Sequence, residues 1–392
     1  TKSSNSRHLL CMIGEFDHES GSVSKPVVVC DKLGVNDPHD NPSLLIDKNG
    51  FIWVFVSGRG RKRFGHKYKS VSPYNINKFE KLTEEEMTYP QPLLVETGLF
   101  NFFTKYTGVR ELYFERTDKS GKWSNDILLA SIPENNGEKS GHYQISAQYN
   151  GQKIGTFFNR HPKGVVDKRT DLYYIESNDF GDTWFTVDKK IVKIPLTDIN
   201  SPSRLKNYSV LKKNIYLKDM LFDNDGNPIC LYIKSNGHKP GPESAPYEWI
   251  LSRWDGLNWI TTKVTTSDHN YDMGSLWVDR NEFKVVAPVG DAPQNWGVGG
   301  EIEIWYSKNK GTTWIKERIL TESSHYNHSY VRKVKGGQSP FNFLWADGHP
   351  HKFGKSQLWF GDFNGNVYRL PYKMNDDIEK PKKIVFGNRM TK

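Results

Sequence analysis

The sequence predicts an all-β fold, a seven-bladed β-propeller of four-stranded antiparallel blades that takes up residues 1–392 as one domain. Three observations predict it. A strand–turn–strand pattern returns about every 50 residues, and aromatic residues reach 13% while hydrophobic residues stay at 36%. No window keeps the helical period for three turns. Many short strands with flat rings between their sheets fit this composition, and repeated units of this kind build propellers.

The first clear repeat consists of two apolar runs joined by a turn. Residues 43–47 and 51–56 flank Lys48-Asn49-Gly50, and Asn-Gly between apolar runs is a strong hairpin signal. Further copies cover about 87–131, 142–188, 214–265, 270–321 and 327–371. Strand-like segments remain at 8–14, 26–30 and 383–386, which predicts a last blade closed by both termini. A six-bladed ring is the alternative.

Two segments match the Asp-box pattern Ser-x-Asp-x-Gly-x-Thr-Trp. They are Ser177-Asn-Asp-Phe-Gly-Asp-Thr-Trp184 and Ser307-Lys-Asn-Lys-Gly-Thr-Thr-Trp314. In this pattern Asp or Asn caps a turn, Gly supplies a positive φ and Trp packs between sheets. The pattern therefore supports the fold and not a particular chemistry. A sialidase is disfavoured because no Phe/Tyr-Arg-Ile-Pro string occurs.

The formal charge of +9 and the pI of about 9.1 suit either solubility or a polyanionic partner. The densest basic stretch runs from Arg59 to Lys69 and has no nucleic-acid-binding motif around it, so an acidic polysaccharide is favoured over nucleic acid. No apolar run is long enough for a membrane span. Cys11 and Cys30 lie on neighbouring predicted strands, where a disulfide is open to them. Thr1 suggests a trimmed signal peptide and hence a secreted or periplasmic protein, which we expect to be a monomer.

An ordered series of polar segments is more informative about function. The series is His39-Asp-Asn-Pro42, Thr88-Tyr-Pro-Gln-Pro92, Arg110-Glu-Leu-Tyr113, His142-Tyr-Gln-Ile-Ser146, Asp167-Lys-Arg-Thr-Asp-Leu-Tyr-Tyr174, Tyr216-Leu-Lys-Asp219, Asp268-His-Asn-Tyr-Asp-Met-Gly-Ser275, Tyr330-Val-Arg332 and Leu344-Trp-Ala-Asp-Gly348. From about residue 30 to 350 it resembles a family of propellers that cleave uronic-acid polysaccharides. The family includes ulvan lyases and enzymes that release L-rhamnose from L-rhamnose-α-1,4-D-glucuronate caps of arabinogalactan.

The resemblance implies roles for three residues. A uronate lyase needs a cation for the carboxylate, a base for the C5 proton and an acid for the leaving O4. His39 matches the first histidine of the family and titrates near neutrality as a residue type. Tyr89 matches its hydroxyl partner, and Arg169 would hold the carboxylate. The alternatives are that His39 only caps a turn and that Arg169 pairs with Asp167 or Asp171.

Two positions depart from the lyase pattern. Arg59 in Ser57-Gly-Arg-Gly60 stands where a second histidine is usual, and Lys105 stands where the neutralising arginine is expected. Both keep positive charge without the original geometry. The departures favour an enzyme that releases rhamnose from rhamnose-α-1,4-glucuronate in arabinogalactan, by hydrolysis as an α-L-rhamnosidase or by β-elimination. An ulvan-type lyase and a non-catalytic acidic-glycan-binding propeller are the alternatives.

The remaining candidates complete the predicted site. We expect His142, His161, Tyr271 and Arg332, with Arg59 and Lys105, to contact substrate, and Trp296 to stack on a sugar. The segment Asp268–Asp272 is rich in oxygen ligands and could hold a structural Ca²⁺. No cofactor is required by either proposed chemistry.

Overall fold

A computed structural model describes residues 9–35, 37, 39–289 and 292–386. The predicted trimmed start at Thr1 and the residues beyond 386 lie outside this part. The described chain is almost entirely strand, with three single-turn 3₁₀ helices at Gly60–Lys62, Pro162–Gly164 and Pro242–Ser244. In fold class it is a seven-bladed β-propeller, as predicted. None of its helices has the length and apolar character that crossing a bilayer requires.

The strands in the first half of the chain, in order, are β1 (Leu9–Ile13), β2 (Phe16–Asp17), β3 (Ser22–Ser24), β4 (Val27–Lys32), β5 (Pro42–Ile46), β6 (Ile52–Val56), β7 (Gly65–Ser70), β8 (Phe79–Glu85), β9 (Thr88–Val95), β10 (Gly98–Tyr106), β11 (Arg110–Arg116), β12 (Ile127–Ala130), β13 (Gly141–Tyr149), β14 (Lys153–His161), β15 (Thr170–Ser177), β16 (Trp184–Phe185) and β17 (Ile191–Val192).

The strands in the second half are β18 (Arg204–Lys206), β19 (Asn214–Phe222), β20 (Pro228–Ser235), β21 (Tyr247–Trp254), β22 (Trp259–Ser267), β23 (Ser275–Asp279), β24 (Glu282–Val289), β25 (Glu301–Ser307), β26 (Ile315–Ile319), β27 (Asn327–Lys333), β28 (Phe343–Gly348), β29 (Leu358–Gly361), β30 (Val367–Arg369), β31 (Ile378–Glu379) and β32 (Lys382–Ile384).

The chain divides into two compact units. Unit 1 consists of residues 1–16, 24–165 and 174–203, and unit 2 of residues 17–23, 166–173 and 204–392. The organisation of all 392 residues as a single domain stays a prediction.

The sheets of unit 1 are antiparallel meanders whose strands pair in chain order. These sheets contain strands β5 to β8, β9 to β12 and β13 to β17. Strand β1 pairs with β4 in a separate two-stranded sheet. Within the pair, Cys11 lies opposite Cys30, and both thiols are reduced and buried. The inner residues of β6 and β10 are fully buried and supply the apolar core around Phe55 and Phe103.

Unit 2 repeats this arrangement in the sheets β19–β22, β23–β26 and β27–β30. Its core clusters form around Trp249 and Trp345. The C-terminal strands differ in detail from the predicted blade closure. Strand β32 pairs with β30 as an outer strand, whereas β31 pairs with β3 from the N-terminal part of the chain.

The two Asp boxes adopt the predicted local structure. In the first, Gly181 has φ +93° and its N–H donates to Ser177 Oγ at 2.9 Å, while Thr183 N–H donates to Asp179 Oδ1 at 2.8 Å. The second box repeats these bonds at Ser307 and Asn309, at 2.9 Å each. Each box closes its turn with hydrogen bonds of its own residues, so the pattern is readable from the sequence.

Candidate functional site

In unit 1, His39 lies on the loop between β4 and β5 and is held by Asp37. Asp37 Oδ1 accepts the backbone N–H of His39 at 3.0 Å, the geometry of an Asx turn, and the same oxygen contacts the His39 Nδ1. An ionised carboxylate can only accept, so Nδ1 carries a proton, and in the neutral ring the lone pair is on Nε2. The imidazole is 48% exposed, so Nε2 is positioned to act as a base on a bound molecule.

The carboxylate of Asp37, beside His39, is held in the ionised form. Asp37 Oδ2 accepts from Arg59 Nη1 at 3.1 Å and from Arg63 Nη2 at 2.9 Å, and Arg63 also forks onto buried Asp40 at 2.7–3.0 Å. Burial raises the pKa of Asp37, but hydrogen bonds from the backbone and ring of His39 and from Arg63 outweigh it and lower that pKa well below its usual range. Asp40 Oδ2 accepts from buried Lys32 at 2.5 Å. The Asp37 carboxyl is therefore not available as a proton donor near neutral pH.

Tyr89 lies beside His39 in a strained backbone conformation. Its φ is +54°, which is rare for a residue with a Cβ, and the ring centroids of Tyr89 and His39 are 6.4 Å apart. Its N–H donates to Ser57 Oγ at 3.0 Å, while the register of the neighbouring β10 shifts between Phe102 and Thr104. The hydroxyl of Ser57 and this irregularity hold the ring at the start of β9, next to the imidazole.

Arg110 brings a positive charge to the tyrosine. Its guanidinium carbon lies 4.8 Å from the ring centroid of Tyr89 and 5.3 Å from that of Tyr143, and Nη1 donates to Thr104 Oγ1 at 3.0 Å. The side chain is 7% exposed, and its Nε has no acceptor among the described residues. Within the described ranges no carboxylate lies at ion-pair distance from it. An arginine that is stacked on two rings and lacks a counter-charge suits an anionic ligand.

Lys105, which was predicted to contact the substrate, lies on β10 with its side chain on the face opposite to Thr104. Residues alternate along β10, so Lys105 pairs across with Glu111 on the face opposite Thr104 and Arg110. Its ammonium contacts Asp126 and lies 5.4 Å from the ring centroid of Tyr113. The cation next to Tyr89 is Arg110, which the sequence did not indicate as a site residue. It was visible only as the first residue of the segment Arg110-Glu-Leu-Tyr113.

The two other predicted histidines of unit 1 are buried. His142 is completely enclosed, its Nε2 accepts the N–H of Ile132 at 3.2 Å, and burial lowers its pKa to about 4. Its Nδ1 lies 3.3 Å from the carbonyl oxygen of Arg110, so it supports the start of β11. The ring of His161 lies 5.3 Å from that of Tyr143, in space that a Cβ on Gly141 would occupy. Both serve the packing behind Arg110 and Tyr89 in this structure.

Unit 2 holds the other predicted contacts, and Arg169 and Tyr271 lie together there. Arg169 Nη2 donates to the Tyr271 hydroxyl at 3.0 Å, and the hydroxyl of Tyr271 contacts Asp167 Oδ1. The guanidinium of Arg169 also lies 5.0 Å from the ring centroid of Tyr216. Arg332 on β27 is exposed. A residue that sequence reasoning missed, Lys218 on β19, lies 5.7 Å from the ring centroid of Tyr216.

The segment predicted to bind Ca²⁺ uses its carboxylates on protein donors. Asp272 Oδ1 accepts the N–H of Gly299 at 2.6 Å and its Oδ2 contacts Ser267, while Asp268 Oδ2 accepts the N–H of Trp296 at 2.9 Å. Burial raises the pKa of Asp272 to about 8. These bonds fix the loop that carries Trp296, whose ring lies 6.2 Å from that of Tyr247. Stacking of Trp296 on a sugar stays a prediction.

Unit 1 has a cluster of three acidic residues with the spacing of a metal site, but the ammonium of Lys67 contacts two of their carboxylates. Glu85, Glu115 and Asp126 have ligand atoms within 4.8 Å of one another. Lys67 Nζ donates to Glu85 at 2.6 Å and to Glu115 at 2.7 Å. A metal ion would have to displace this buried ammonium, so the group is better explained as an internal ion-pair cluster.

Comparison with known proteins places these residues in a family context. The BNR repeat-containing family matches residues 12–267, about two thirds of the chain. An ulvan lyase of Nonlabens ulvanivorans is 23% identical over 318 residues, which cover 73% of this chain and 66% of that protein. An ulvan lyase of Alteromonas sp. (strain LOR) is 21% identical, and the match covers 64% of this chain and 56% of that protein. The chain thus spans less than two thirds of the length of these two relatives.

A solved structure shows the same fold. It is a PL25 ulvan lyase bound to -[GlcA(1-4)Rha3S]-, with a TM-score of 0.74 and 15% identity, and the match covers 89% of this chain and 86% of that one. The likeness at this identity concerns the fold, whereas the family match covers well over half of the sequence. This chain belongs to the BNR repeat-containing family.

Proposed function

We propose that this protein is a polysaccharide lyase that cleaves a glucuronate-containing acidic polysaccharide by β-elimination. The observation that carries the proposal is the group His39–Tyr89–Arg110 in unit 1, where a base, a hydroxyl and an uncompensated cation lie side by side. The similarity to two ulvan lyases supports this reading over the rhamnose-releasing hydrolase that the sequence alone favoured.

The proposed reaction assigns one task to each of the three residues. Arg110 faces the uronate carboxylate and stabilises the negative charge that develops as C5 is deprotonated. His39 Nε2 takes the C5 proton, the electron pair of that C–H bond forms the C4–C5 double bond, and the C4–O4 bond breaks. The Tyr89 hydroxyl protonates the leaving O4. Asp37 holds the Nδ1 proton of His39 and favours the imidazolium that forms.

The charge state of the neighbouring carboxylates supports elimination over hydrolysis. Glycosidases of the usual kind need two carboxyl groups, one of them protonated. Asp37 and Asp40 are both bound by Arg63, and the pKa of Asp37 lies well below its usual range. The carboxylates near His39 therefore suit the positioning of a base and not acid catalysis.

Substrate and setting follow from the same chemistry. The basic charge and the cation beside Tyr89 suit a glucuronate polymer, and glucuronate linked to rhamnose is the type we expect. A polymer of that size implies an enzyme that acts outside the cytoplasm, with no cofactor, since proton transfer and charge stabilisation suffice. We expect it to act as a monomer.

The decisive experiment follows two products at once. The protein is incubated with ulvan and, separately, with arabinogalactan, and both ultraviolet absorbance of the unsaturated uronate and free rhamnose are measured. We expect absorbance to rise with ulvan. His39→Ala and Tyr89→Phe should each lower the rate by about 100- to 10,000-fold, the usual share of a general acid or base.

Matched variants control for unfolding. His18→Ala removes an exposed histidine, and Tyr74→Phe changes a tyrosine that is 72% exposed and also has a positive φ, so both should keep the parent rate. Rhamnose released without any unsaturated product would reassign the protein to the hydrolases. Binding of both glycans without either product would leave a non-catalytic glycan-binding protein.

A further inference from the structure

Lys32, at the end of β4 in unit 1, is a buried lysine whose ammonium uses all three of its protons. Nζ donates to Asp40 Oδ2 at 2.5 Å and to the carbonyl oxygens of Ser57 and Phe64 at 2.9 Å each. The side chain of Lys32 is 5% exposed and that of Asp40 is fully buried. A lysine has three donors and no acceptor, so these bonds complete its hydrogen-bonding capacity. Lys32 therefore joins the end of β4, the β4–β5 loop and the connection between β6 and β7.

One branch of these bonds leads from Lys32 to His39. The carboxylate of Asp40, to which Lys32 donates, also accepts from Nε and Nη2 of Arg63 at 2.7–3.0 Å. Nη2 of Arg63 donates in turn to Asp37 Oδ2 at 2.9 Å, and Asp37 Oδ1 accepts the backbone N–H of His39 at 3.0 Å. Asp40 directly follows His39 in the chain. The base is therefore fixed from both sides along the chain, by Asp37 before it and by Asp40 after it.

The other branch leads from Lys32 to Tyr89. The carbonyl oxygen of Ser57 accepts from Lys32, and Oγ of the same serine accepts the backbone N–H of Tyr89 at 3.0 Å. The N–H of Gly58 donates to the carbonyl oxygen of Met87 at 2.7 Å, which joins the same connection to the start of β9. The φ of Tyr89 is +54°, a strained conformation that persists only where the surroundings enforce it. The backbone of Ser57, held by Lys32, is part of those surroundings.

The two branches end at the pair of side chains that the proposed reaction uses. The ring centroids of His39 and Tyr89 are 6.4 Å apart. One ring takes a proton from C5 and the other gives a proton to O4 of the same linkage, so their separation has to match these two atoms. A misplacement of about 1 Å, caused far from the reacting atoms, can lower a rate about 100-fold. Lys32 holds the segments that carry both rings, so it can set this separation.

We propose that Lys32 is a positioning residue for the proposed elimination. Through the two branches it fixes the separation of the base His39 and the acid Tyr89. The inference rests on the proposed function, because it takes these two side chains as the ones that exchange protons with the sugar. It assigns Lys32 no contact with the substrate, so binding of the polysaccharide should not depend on Lys32. A lysine that only stabilised the fold would affect the melting temperature and neither kcat nor the protonation of the His39 ring in the folded protein.

The first test replaces the buried pair by neutral side chains of similar shape. The double variant Lys32→Met/Asp40→Asn removes both charges together, which avoids leaving one buried charge alone. Initial rates of unsaturated-uronate formation from ulvan are measured against substrate concentration, at a temperature where parent and variant are both folded. We expect kcat to fall about 100-fold. KM should stay within about twofold of the parent value, because Arg110 still faces the uronate carboxylate.

The second test does not depend on turnover. The ¹⁵N chemical shifts of the His39 ring, assigned by comparison with His39→Gln, show which nitrogen carries the proton when the ring is neutral. In the parent protein we expect the proton on Nδ1, because Asp37 accepts from that nitrogen. In the double variant the β4–β5 loop no longer holds Asp37 and His39 together at all times. Part of the population should then carry the proton on Nε2.

A matched control removes another buried pair of unit 1. Lys67→Met/Glu115→Gln makes the same kind of change in the internal ion-pair cluster, and it should lower the melting temperature while kcat and the His39 protonation stay as in the parent. Should the Lys32 double variant not fold, Asp40→Asn, which interrupts the branch to His39 and leaves the bonds of Lys32 to both carbonyl oxygens, decides by the same two measurements.

The outcomes separate this proposal from the proposed function. In a folded variant, an unchanged kcat or an unchanged protonation of the His39 ring would overturn the positioning role of Lys32. A parent protein that forms no unsaturated uronate would refute the lyase proposal instead. The ¹⁵N shifts alone would then decide whether Lys32 positions His39.

Discussion

Replacement of Asp37 by Asn tests whether His39 works as a positioned base. Asn has the shape of Asp, but it removes the negative charge that the Nδ1–H of His39 faces and can present an NH₂ group to that nitrogen instead. A donor at this point would drive the proton to Nε2, where the lone pair is needed. Because Oδ1 accepts both the backbone N–H and the ring Nδ1–H of His39, an NH₂ group at this point would also deprive the backbone N–H of its acceptor.

The size of the effect follows from the bond that is lost. A hydrogen bond to a charged group contributes about 1.5–3 kcal/mol, which corresponds to a fall in kcat of roughly 10- to 150-fold. A complete switch to the wrong tautomer would cost up to about 10⁴-fold. The effect on stability should be much smaller, on the order of 1 kcal/mol, because the Asp37 side chain is 25% exposed.

The assay is the initial rate of unsaturated-uronate formation, with the melting temperature of each variant measured first. Asp118→Asn is the matched control, since Asp118 is an exposed turn aspartate that accepts the N–H groups of Ser120 and Lys122 at 2.8 and 3.0 Å in the same unit. We expect Asp37→Asn to lose activity and Asp118→Asn to keep it. A folded Asp37→Asn variant with the parent kcat would refute the argument that Asp37 orients His39.

Three further predictions concern buried groups. Burial lowers the pKa of three histidines to about 4, whereas the pKa of an unfolded histidine is about 6.5; they are His142, His269 and His328. Between these two values the unfolded state binds protons that the folded state does not bind. The free energy of unfolding is therefore unaffected by these residues above about pH 6.5 and falls as the pH is lowered from about 6.5 to about 4. His328→Gln should therefore lower the slope of the unfolding free energy against pH in this window by up to about 1.4 kcal/mol per pH unit. The slope is measured by urea titration at several pH values, and an unchanged slope would contradict the prediction. Lys67→Met should destabilise by about 3–5 kcal/mol because it leaves the buried Glu115 and the partly buried Glu85 uncompensated. Adding Glu115→Gln should recover part of the loss in the same urea titration. A Lys67→Met variant as stable as the parent would contradict this. Oxidation with diamide should form a disulfide between Cys11 and Cys30, which face each other across β1 and β4, and the intact mass should fall by two hydrogen atoms. The reaction should be slow because burial and the neighbouring thiol raise the pKa of Cys11 to about 12. An unchanged mass would argue against the pairing.

The fold was predictable because its signals are local. An Asp box needs only its own residues, and Ser177, Asp179 and Gly181 make in the structure the bonds that their types suggest. The closure of the last blade depends on pairing between distant segments, and there the sequence was less informative. Strand β32 is short and joins β30, a choice that depends on its surroundings and not on its own pattern.

The candidate site was predictable only in part. His39 and Tyr89 were found through a motif series, and they do lie side by side. The cation next to them was assigned to Lys105 from its order in the chain, yet strand alternation turns that side chain towards Asp126. Arg110 reaches Tyr89 from the neighbouring strand β11, a cross-strand contact that sequence spacing does not encode.

Arg59 explains how this site can differ from the lyase pattern and still suit elimination. A histidine at this place could titrate and would serve as a second proton carrier. Arg59 instead donates to Asp37 Oδ2, the oxygen that does not face His39. With Arg63 on the same oxygen, it keeps Asp37 ionised, and an ionised Asp37 keeps the Nδ1 proton on His39. An arginine at position 59 therefore strengthens the positioning of His39 without adding a second proton carrier, which agrees with the proposal that His39 and Tyr89 exchange protons with the substrate.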